Sequence, residues 1–212
     1  MKKQILAILI VPLLVACGSD GENVVSEGLK IFVTDSRHVG DFENDPLIEG
    51  SSAIEKMDSF CNSDSSKPNG SVYKALAVDG MNRDALSELD WVLESNTVYY
   101  RAYNDIEIGK TSDQGVFTSY YADLPNSVSN KKKEQNGPIL ANNVWTGIRS
   151  PIDFSSDTAS HCNYWSASGS SGHSGKMGLI YDKGSYAFAS ENGSFGCDLK
   201  ASLYCVEQQD NH

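Results

Sequence analysis

The chain has 212 residues, of which 17 are basic and 28 are acidic, so its formal net charge is −11. This acidic balance argues against nucleic acid, heparin-like polyanions or anionic lipid headgroups as the main partner, because each of them needs a basic face. The length and the uniform composition predict one globular domain with a full core.

The first residues, MKKQILAILIVPLLVACGSDGEN, have the layout of a bacterial export signal. Two lysines precede an apolar run from Ile5 to Ala16, and Cys17 follows directly. The run is too short for a membrane-spanning helix, which needs roughly 20 apolar residues. Leu14-Val15-Ala16-Cys17 resembles the lipobox of bacterial lipoproteins, which implies cleavage before Cys17 and acylation of Cys17, including palmitate. The alternative is a soluble export signal with a chance cysteine.

The export signal predicts how the chain is divided. We expect a signal peptide at residues 1–16, a lipidated N-terminus and flexible tether at 17–29, a folded domain at 30–208 and a polar tail at 209–212. The lipid would anchor the protein to a membrane of the cell envelope without spanning it. Gly18 stands where some lipoproteins carry an aspartate that retains them in the inner membrane. This favours the outer membrane and leaves open which face the protein occupies.

The folded part is predicted to combine an early helical region with scattered strands. Ser52 to Glu55 fits a helix capping box, and Ile54 and Met57 mark one face of the helix that follows. A second, short helix is predicted at 82–89. Strands are predicted at 30–36, 72–79, 97–103, 144–148, 175–181 and 202–208. Helices followed by strands, without βαβ alternation, predict an α+β domain.

The remaining cysteines, Cys61, Cys162, Cys197 and Cys205, are even in number in an exported chain and so predict two disulfides. Four cysteines allow three pairings, and the residues alone do not choose among them. The stretch HCNYWSASGSSGHSGK (161–176) could suggest a reactive cysteine beside a histidine. An oxidised cysteine is not a nucleophile, so Cys162 is interpreted as one end of a disulfide followed by a flexible loop.

Several long runs carry a family resemblance. IFVTDSRHVGDF, GSSAIEKMDSFCNSDSSKPNGSVYKALAVDGMNRDA, DWVLESNTVYYR, VWTGI, CNYWSAS and SLYCVEQ occur in this order. Together they resemble the bacterial endostatin-like lipoprotein family, a C-type-lectin-like domain of unknown function, over about residues 30–208. The resemblance implies a C-type-lectin-like α+β fold with nested disulfides, Cys61 to Cys205 and Cys162 to Cys197.

Tyrosines offer a candidate binding surface. The segments TVYYRAY and TSYYADL bring tyrosines close to an arginine, and both residue types are favoured in recognition surfaces. Half of each alternating run is expected to face the core instead. The candidate ligand contacts are Tyr99, Arg101, Tyr103, Tyr120 and Tyr121.

No residue pattern predicts an enzyme, a cofactor or a metal site. Calcium takes six to eight oxygen ligands, and Asp153 and Asp157 are the only acids in a suitable region before Cys162, so they are weak candidates. The family resemblance implies a non-enzymatic surface adhesin that binds an extracellular-matrix or serum-type protein through its loops. The alternatives are a carbohydrate-binding lectin-like module and a structural envelope lipoprotein.

Overall fold

A computed structural model describes residues 28–68, 70–129, 142–169, 172–189 and 193–209. The predicted signal peptide, Cys17, most of the tether and the end of the tail lie outside these residues. Within these described ranges there are nine short strands, two short helices and one 3₁₀ turn. They are β1 (Leu29–Val33), α1 (Ala53–Ser63), β2 (Tyr73–Ala75), β3 (Val98–Arg101), β4 (Glu107–Lys110), β5 (Asn143–Trp145), α2 (Cys162–Trp165), β6 (Ser174–Gly175), β7 (Met177–Leu179), a 3₁₀ turn (Ser185–Ala187), β8 (Phe195–Gly196) and β9 (Ser202–Glu207).

One mixed sheet forms the framework of the domain. Its strand order is β4-β3-β1-β9-β5-β7, and β2 also pairs with β9. The β1–β3 and β5–β9 pairs are parallel, and the other pairs are antiparallel. A small second sheet joins β6 and β8. Strand β9 therefore lies in the centre, which explains why SLYCV is buried on both faces.

The central strands divide the core into two hydrophobic clusters. Tyr204 and Val206 of β9 belong to one cluster, whereas Leu203 and Cys205 belong to the other. This is the two-residue alternation of a strand with both faces covered. Helix α1 contributes Ile54, Met57 and Cys61 to the second cluster, so the disulfide from Cys61 to Cys205 ties the helix to the central strand.

The predicted start of α1 is confirmed in its main feature. Ser52 is the N-cap, and its hydroxyl accepts a hydrogen bond from the Glu55 amide at 3.3 Å. The Glu55 carboxylate reaches back to the amide of Ser51, at 2.7 Å, and not to that of Ser52. The reciprocal half of the capping box is therefore shifted by one residue.

The predicted α+β, C-type-lectin-like fold class is wrong. In the part of the chain that the structure describes, the domain is mostly β, with a mixed sheet and two short helices, α1 of 11 residues and α2 of four. Part of the error lies in residues 82–89, which form turns and not a helix. The Asp79 carboxylate accepts hydrogen bonds from the amides of Met81 and Asn82, at 2.9 and 2.7 Å. Such local side-chain bonds give the backbone an alternative to a helix.

Arg83 holds the same turn region against the rest of the domain. Its side chain is fully buried and forms a bidentate ion pair with Asp58 of α1, at 2.9 and 2.8 Å. It also contacts Asp90 at 3.1 Å and the Ala75 carbonyl oxygen at 2.7 Å. Burial opposes the charge of Arg83, but the two carboxylates outweigh this effect and raise the pKa of Arg83. The observed turns place Arg83 against these partners.

Candidate functional site

Cys162 lies in the buried core, where it has a structural role and does not form a reactive site. It is buried and forms a disulfide with Cys197, and this pairing is the one that the family resemblance implies. Two glycines lie against its sulfur. A Cβ atom added to Gly40 or Gly175 would lie 2.5 or 2.8 Å from Cys162 Sγ. We call Cys162, Cys197, Trp145, Trp165 and these two glycines the disulfide hub.

Helix α2 is a left-handed turn that belongs to the hub. Its four residues, Cys162, Asn163, Tyr164 and Trp165, have φ values of 49°, 51°, 57° and 60°. Left-handed backbone costs about 1–2 kcal/mol per residue outside glycine, so tertiary contacts must stabilise it. Trp165 is fully buried, its indole N–H donates to the Val78 carbonyl oxygen at 3.2 Å, and its ring meets that of Trp145 edge-on at 5.8 Å.

The side chain of His161 stabilises the same turn. It is 2 % exposed, and its Nδ1 accepts a hydrogen bond from the Tyr164 amide at 2.8 Å. Burial lowers the pKa of His161, although the charges of Asp79 and Asp157 oppose the shift. The histidine beside Cys162 is therefore a buried, neutral acceptor that holds the turn.

The structure separates the candidate tyrosines. Tyr99 is fully buried, and its phenol oxygen accepts a hydrogen bond from the Glu94 amide at 2.7 Å. Arg101 is 6 % exposed and donates to the Ser127 carbonyl oxygen at 2.7 Å. Both side chains point inward on β3, and the partly exposed face of that strand carries Tyr100. The prediction that Tyr99 and Arg101 contact a ligand is therefore wrong.

Tyr103, Tyr120 and Tyr121 are exposed, but not at one place. Tyr103 lines an apolar groove with Phe32 and Pro68. Tyr120 and Tyr121 line a different cleft of about 630 Å³, between residues 119–123 and 181–186. Tyr181 and Tyr186 line the same cleft. We call it the tyrosine cleft because four tyrosines border it.

Backbone hydrogen bonds between loops, together with core packing, hold the two sides of the tyrosine cleft relative to each other. The Leu124 amide donates to the Lys183 carbonyl oxygen at 2.8 Å, and the Ser129 amide to that of Ile180 at 2.9 Å. Close to these segments in the sequence, Phe117 and Phe188 belong to one core cluster, and their rings are stacked with centroids 5.0 Å apart. Two irregular loops are thus held in a defined geometry, which favours preformed binding.

Two carboxylates of the tyrosine cleft lie close to Gly184. A Cβ atom added to Gly184 would lie 3.1 Å from Oδ1 of Asp123 and 3.4 Å from Oδ1 of Asp182. The Asp182 carboxylate accepts a hydrogen bond from the Gly184 amide at 2.7 Å. Ser119 also lines the cleft, and its buried hydroxyl has no hydrogen-bond partner within the described residues. The cleft therefore combines aromatic rings with acceptor oxygens.

Sequence reasoning missed the side of the cleft formed by residues 181–186. The signal is present in YDKGSY, where Tyr181 and Tyr186 flank a polar turn with a glycine. Such a turn predicts a surface loop. The sequence alone does not indicate that this loop faces Tyr120 and Tyr121, since the two segments are about 60 residues apart.

Asp153 and Asp157, the weak candidates for metal ligands, each contact a residue that is near in the sequence. Asp153 accepts a hydrogen bond from the Ser155 amide at 3.1 Å. Burial raises the pKa of Asp153, but the hydrogen bonds from Ser155 and Ser150 outweigh this and leave it below its ordinary value. Asp157 pairs with Arg149 at 3.2 Å. In the described ranges, no group of three or more His, Cys, Asp or Glu residues could hold a metal ion.

The fold and the site define an oxidised, mostly β domain with an open, tyrosine-lined cleft. Residues 48–183 match a family described as a protein of unknown function, DUF1554. The match spans more than half of the chain, and the chain therefore belongs to this family. No curated protein matches it significantly. No helix within the described residues is long and apolar enough to cross a membrane.

Proposed function

We propose that this protein is a lipid-anchored, exported, non-enzymatic binding module that recognises a protein ligand through the tyrosine cleft. The observation that carries the proposal is the exposure of two adjacent tyrosines, 46 % for Tyr120 and 72 % for Tyr121, on a loop held by the core. Exposed aromatic residues at a preformed site are typical of binding surfaces. Tyr99 and Arg101 have no part in the proposal.

The sequence resemblance to the bacterial endostatin-like lipoproteins supports an adhesin-like role. It points to an extracellular-matrix or serum-type protein as the ligand, and the proposal does not depend on a lectin-like fold. The acidic charge of the chain favours partners with a basic face. Lipidation at Cys17, with palmitate among the acyl groups, and anchoring in the outer membrane belong to the same proposal.

The test is binding of the purified, oxidised protein to a panel of matrix proteins, serum proteins and glycans, with and without a calcium chelator. Tyr121→Leu should weaken binding to a protein ligand about tenfold or more, because truncation of a central aromatic contact has effects of this size. Tyr103→Leu is the matched control, since Tyr103 is also exposed but lines another groove. It should leave binding unchanged.

Other outcomes would contradict the proposal. Binding of a glycan that the chelator or a free sugar abolishes would instead favour a carbohydrate-binding module. If no protein or glycan of the panel binds, the result would favour a structural role in the cell envelope. Equal losses in the two tyrosine variants would remove the cleft from the binding surface.

The anchor has its own test. Radioactive palmitate supplied to growing cells should label the protein, and Cys17→Ala should abolish the label and release the protein from the membrane fraction. An unlabelled parent protein would show that the export signal is of the soluble type. Such a result would leave the proposed role of the cleft untouched.

A further inference from the structure

We infer that the tyrosine cleft binds a cationic side chain, an arginine or a lysine, on a basic segment of the protein ligand. This inference rests on the proposed function and specifies its chemistry. It depends on the carboxylates, the tyrosine rings and the charges that surround them.

The first step is the convergence of two negative charges. Asp123 Oδ1 and Asp182 Oδ1 both face the position that a Cβ atom would occupy on Gly184, at 3.1 and 3.4 Å. Because residue 184 is glycine, it adds no side chain beside these two oxygens, and both aspartates line the cleft. Asp123 has no ion pair or hydrogen bond within the part of the chain that the structure describes. A cation that enters the cleft at this point would relieve the repulsion between the two carboxylates.

The second step is the aromatic border. Four tyrosines line the same cleft, and the rings of Tyr120 and Tyr121 lie edge to face with centroids 5.3 Å apart. The face of an aromatic ring attracts an ammonium or guanidinium group, and aromatic cages recognise organic cations in this way. Neutral side chains do not gain from both features at once. Arginine and lysine do, because each combines a positive charge with an apolar stem.

The third step concerns the cation that the cleft already has. Lys183 lines the cleft, yet its ammonium group forms no ion pair with Asp123 or Asp182 among the described residues. It therefore leaves the carboxylates available and repels an incoming cation. Removal of the Lys183 charge should strengthen binding of a cationic probe. If the cleft had a purely apolar or steric role, removal of this charge would not be expected to strengthen binding.

A metal ion fits these residues less well than an organic cation. Calcium needs six to eight oxygen ligands, and no group of three or more potential His, Cys, Asp or Glu ligands occurs in the described ranges. Ser119 lines the cleft, and its hydroxyl is an acceptor without a partner among the described residues, which suits the many N–H donors of a guanidinium group.

The experiment titrates the full-length protein in detergent with three short probes, acetyl-Gly-Arg-Gly-amide, acetyl-Gly-Lys-Gly-amide and acetyl-Gly-Gln-Gly-amide. NMR shifts of the backbone amides of Asp182 and Gly184 report on the cleft. The two cationic peptides should shift these signals with saturation, and the glutamine peptide should not. Higher salt should weaken the effect, because charges at an open site are screened.

Matched variants separate the cleft from the general acidity of the protein. Asp123→Asn should weaken binding of the cationic peptides about fivefold, whereas Lys183→Gln should strengthen it about twofold. Glu49→Gln is the control, since it removes one exposed negative charge outside the cleft. It should change the affinity little. Equal losses with Asp123→Asn and Glu49→Gln would overturn the inference.

The outcomes also distinguish this inference from the proposed function. If no cationic peptide shifts the cleft signals, but a matrix or serum protein binds and loses affinity in Tyr121→Leu, the proposed function stands and the cation site is wrong. If the peptides bind as expected and no protein of the panel binds, the cation site stands and the choice of protein ligand is wrong.

Discussion

The disulfide hub and the tyrosine cleft use aromatic residues in opposite ways. In the hub, Trp145 and Trp165 are fully buried, and each indole N–H donates to a backbone carbonyl oxygen, at 2.9 and 3.2 Å. In the cleft, Tyr120 and Tyr121 are exposed and border an open volume. The hub stabilises the fold, whereas the cleft leaves rings and carboxylates available to a ligand.

The glycines of the two regions show the same difference. A Cβ atom added to Gly175 in the hub would lie 2.6 Å from the Trp145 ring and 2.8 Å from Cys162 Sγ. In the cleft, the nearest atoms to a Cβ on Gly184 are two carboxylate oxygens at the ends of side chains, at 3.1 and 3.4 Å. An added methyl group therefore forces a shift of the Trp145 ring or the disulfide in the hub, whereas in the cleft only two carboxylates must move slightly.

The largest expected effect comes from the disulfide that joins α1 to the central strand. Cys61→Ser opens a link between residues 144 positions apart, and we expect it to lower the free energy of unfolding by about 5 kcal/mol in the chain-entropy treatment. Denaturant unfolding monitored by tryptophan fluorescence measures this loss. The double variant Cys61→Ser/Cys205→Ser, which leaves no free thiol at this site, should behave similarly. An unchanged unfolding midpoint would contradict the role assigned to this link.

Glycine-to-alanine substitutions, which add one methyl group, should have a smaller effect on stability and should distinguish the hub from the cleft. Gly175→Ala should lower the free energy of unfolding by about 1–3 kcal/mol, because the added atom overpacks the Trp145 ring and the disulfide. Gly184→Ala is the counterpart in the cleft and should change the free energy of unfolding by less than about 0.5 kcal/mol. Paired thermal or denaturant unfolding measures both. Equal losses would show that the cleft is packed as tightly as the hub.

The smallest expected effect is the pH dependence that His161 adds to the hub. The pKa of His161 in the fold is lowered from the ordinary value of 6.5, so the unfolded chain binds the proton more readily. The stability from neutral His161 is therefore fully present above about pH 6.5 and is lost as the pH falls towards the lower pKa of the folded state. The unfolding midpoint, measured from pH 7.5 down to 5, should reveal this decline.

The His161→Asn variant retains a side-chain acceptor for the Tyr164 amide but cannot be protonated in this range. It should lose the part of the decline that belongs to His161. His173→Asn, which changes an exposed histidine, should retain the parent curve. If both variants retain the full decline, His161 does not contribute the pH dependence.

Elements with a strong local pattern were predicted well. Ser52 caps α1 as its sequence predicts, and the apolar residues of α1 lie on one buried face. The apolar run 202–206 coincides with the buried part of β9. The even number of cysteines predicted two disulfides, and two are present. In these segments, local preference and tertiary packing favour the same structure, so the local pattern is sufficient.

Elements that depend on distant partners were not predicted. The segment 82–89 has helical propensity, but the buried ion pair of Arg83 with Asp58 requires a turn. On β3 the alternation was anticipated, and yet it did not reveal that Tyr99 faces the core. Either phase of the alternation is locally acceptable, and only the position of the neighbouring elements decides between them.

The sequence by itself determined the acidic charge, the even set of cysteines, the position of α1 and the central apolar strand, because these follow from composition and short-range periodicity. Only the tertiary structure decided the mixed sheet, the left-handed turn at Cys162–Trp165 and the meeting of residues 119–123 with 181–186. The physical reason is that these features oppose or ignore local preference. Disulfide, glycine and core contacts between residues far apart in the chain stabilise them.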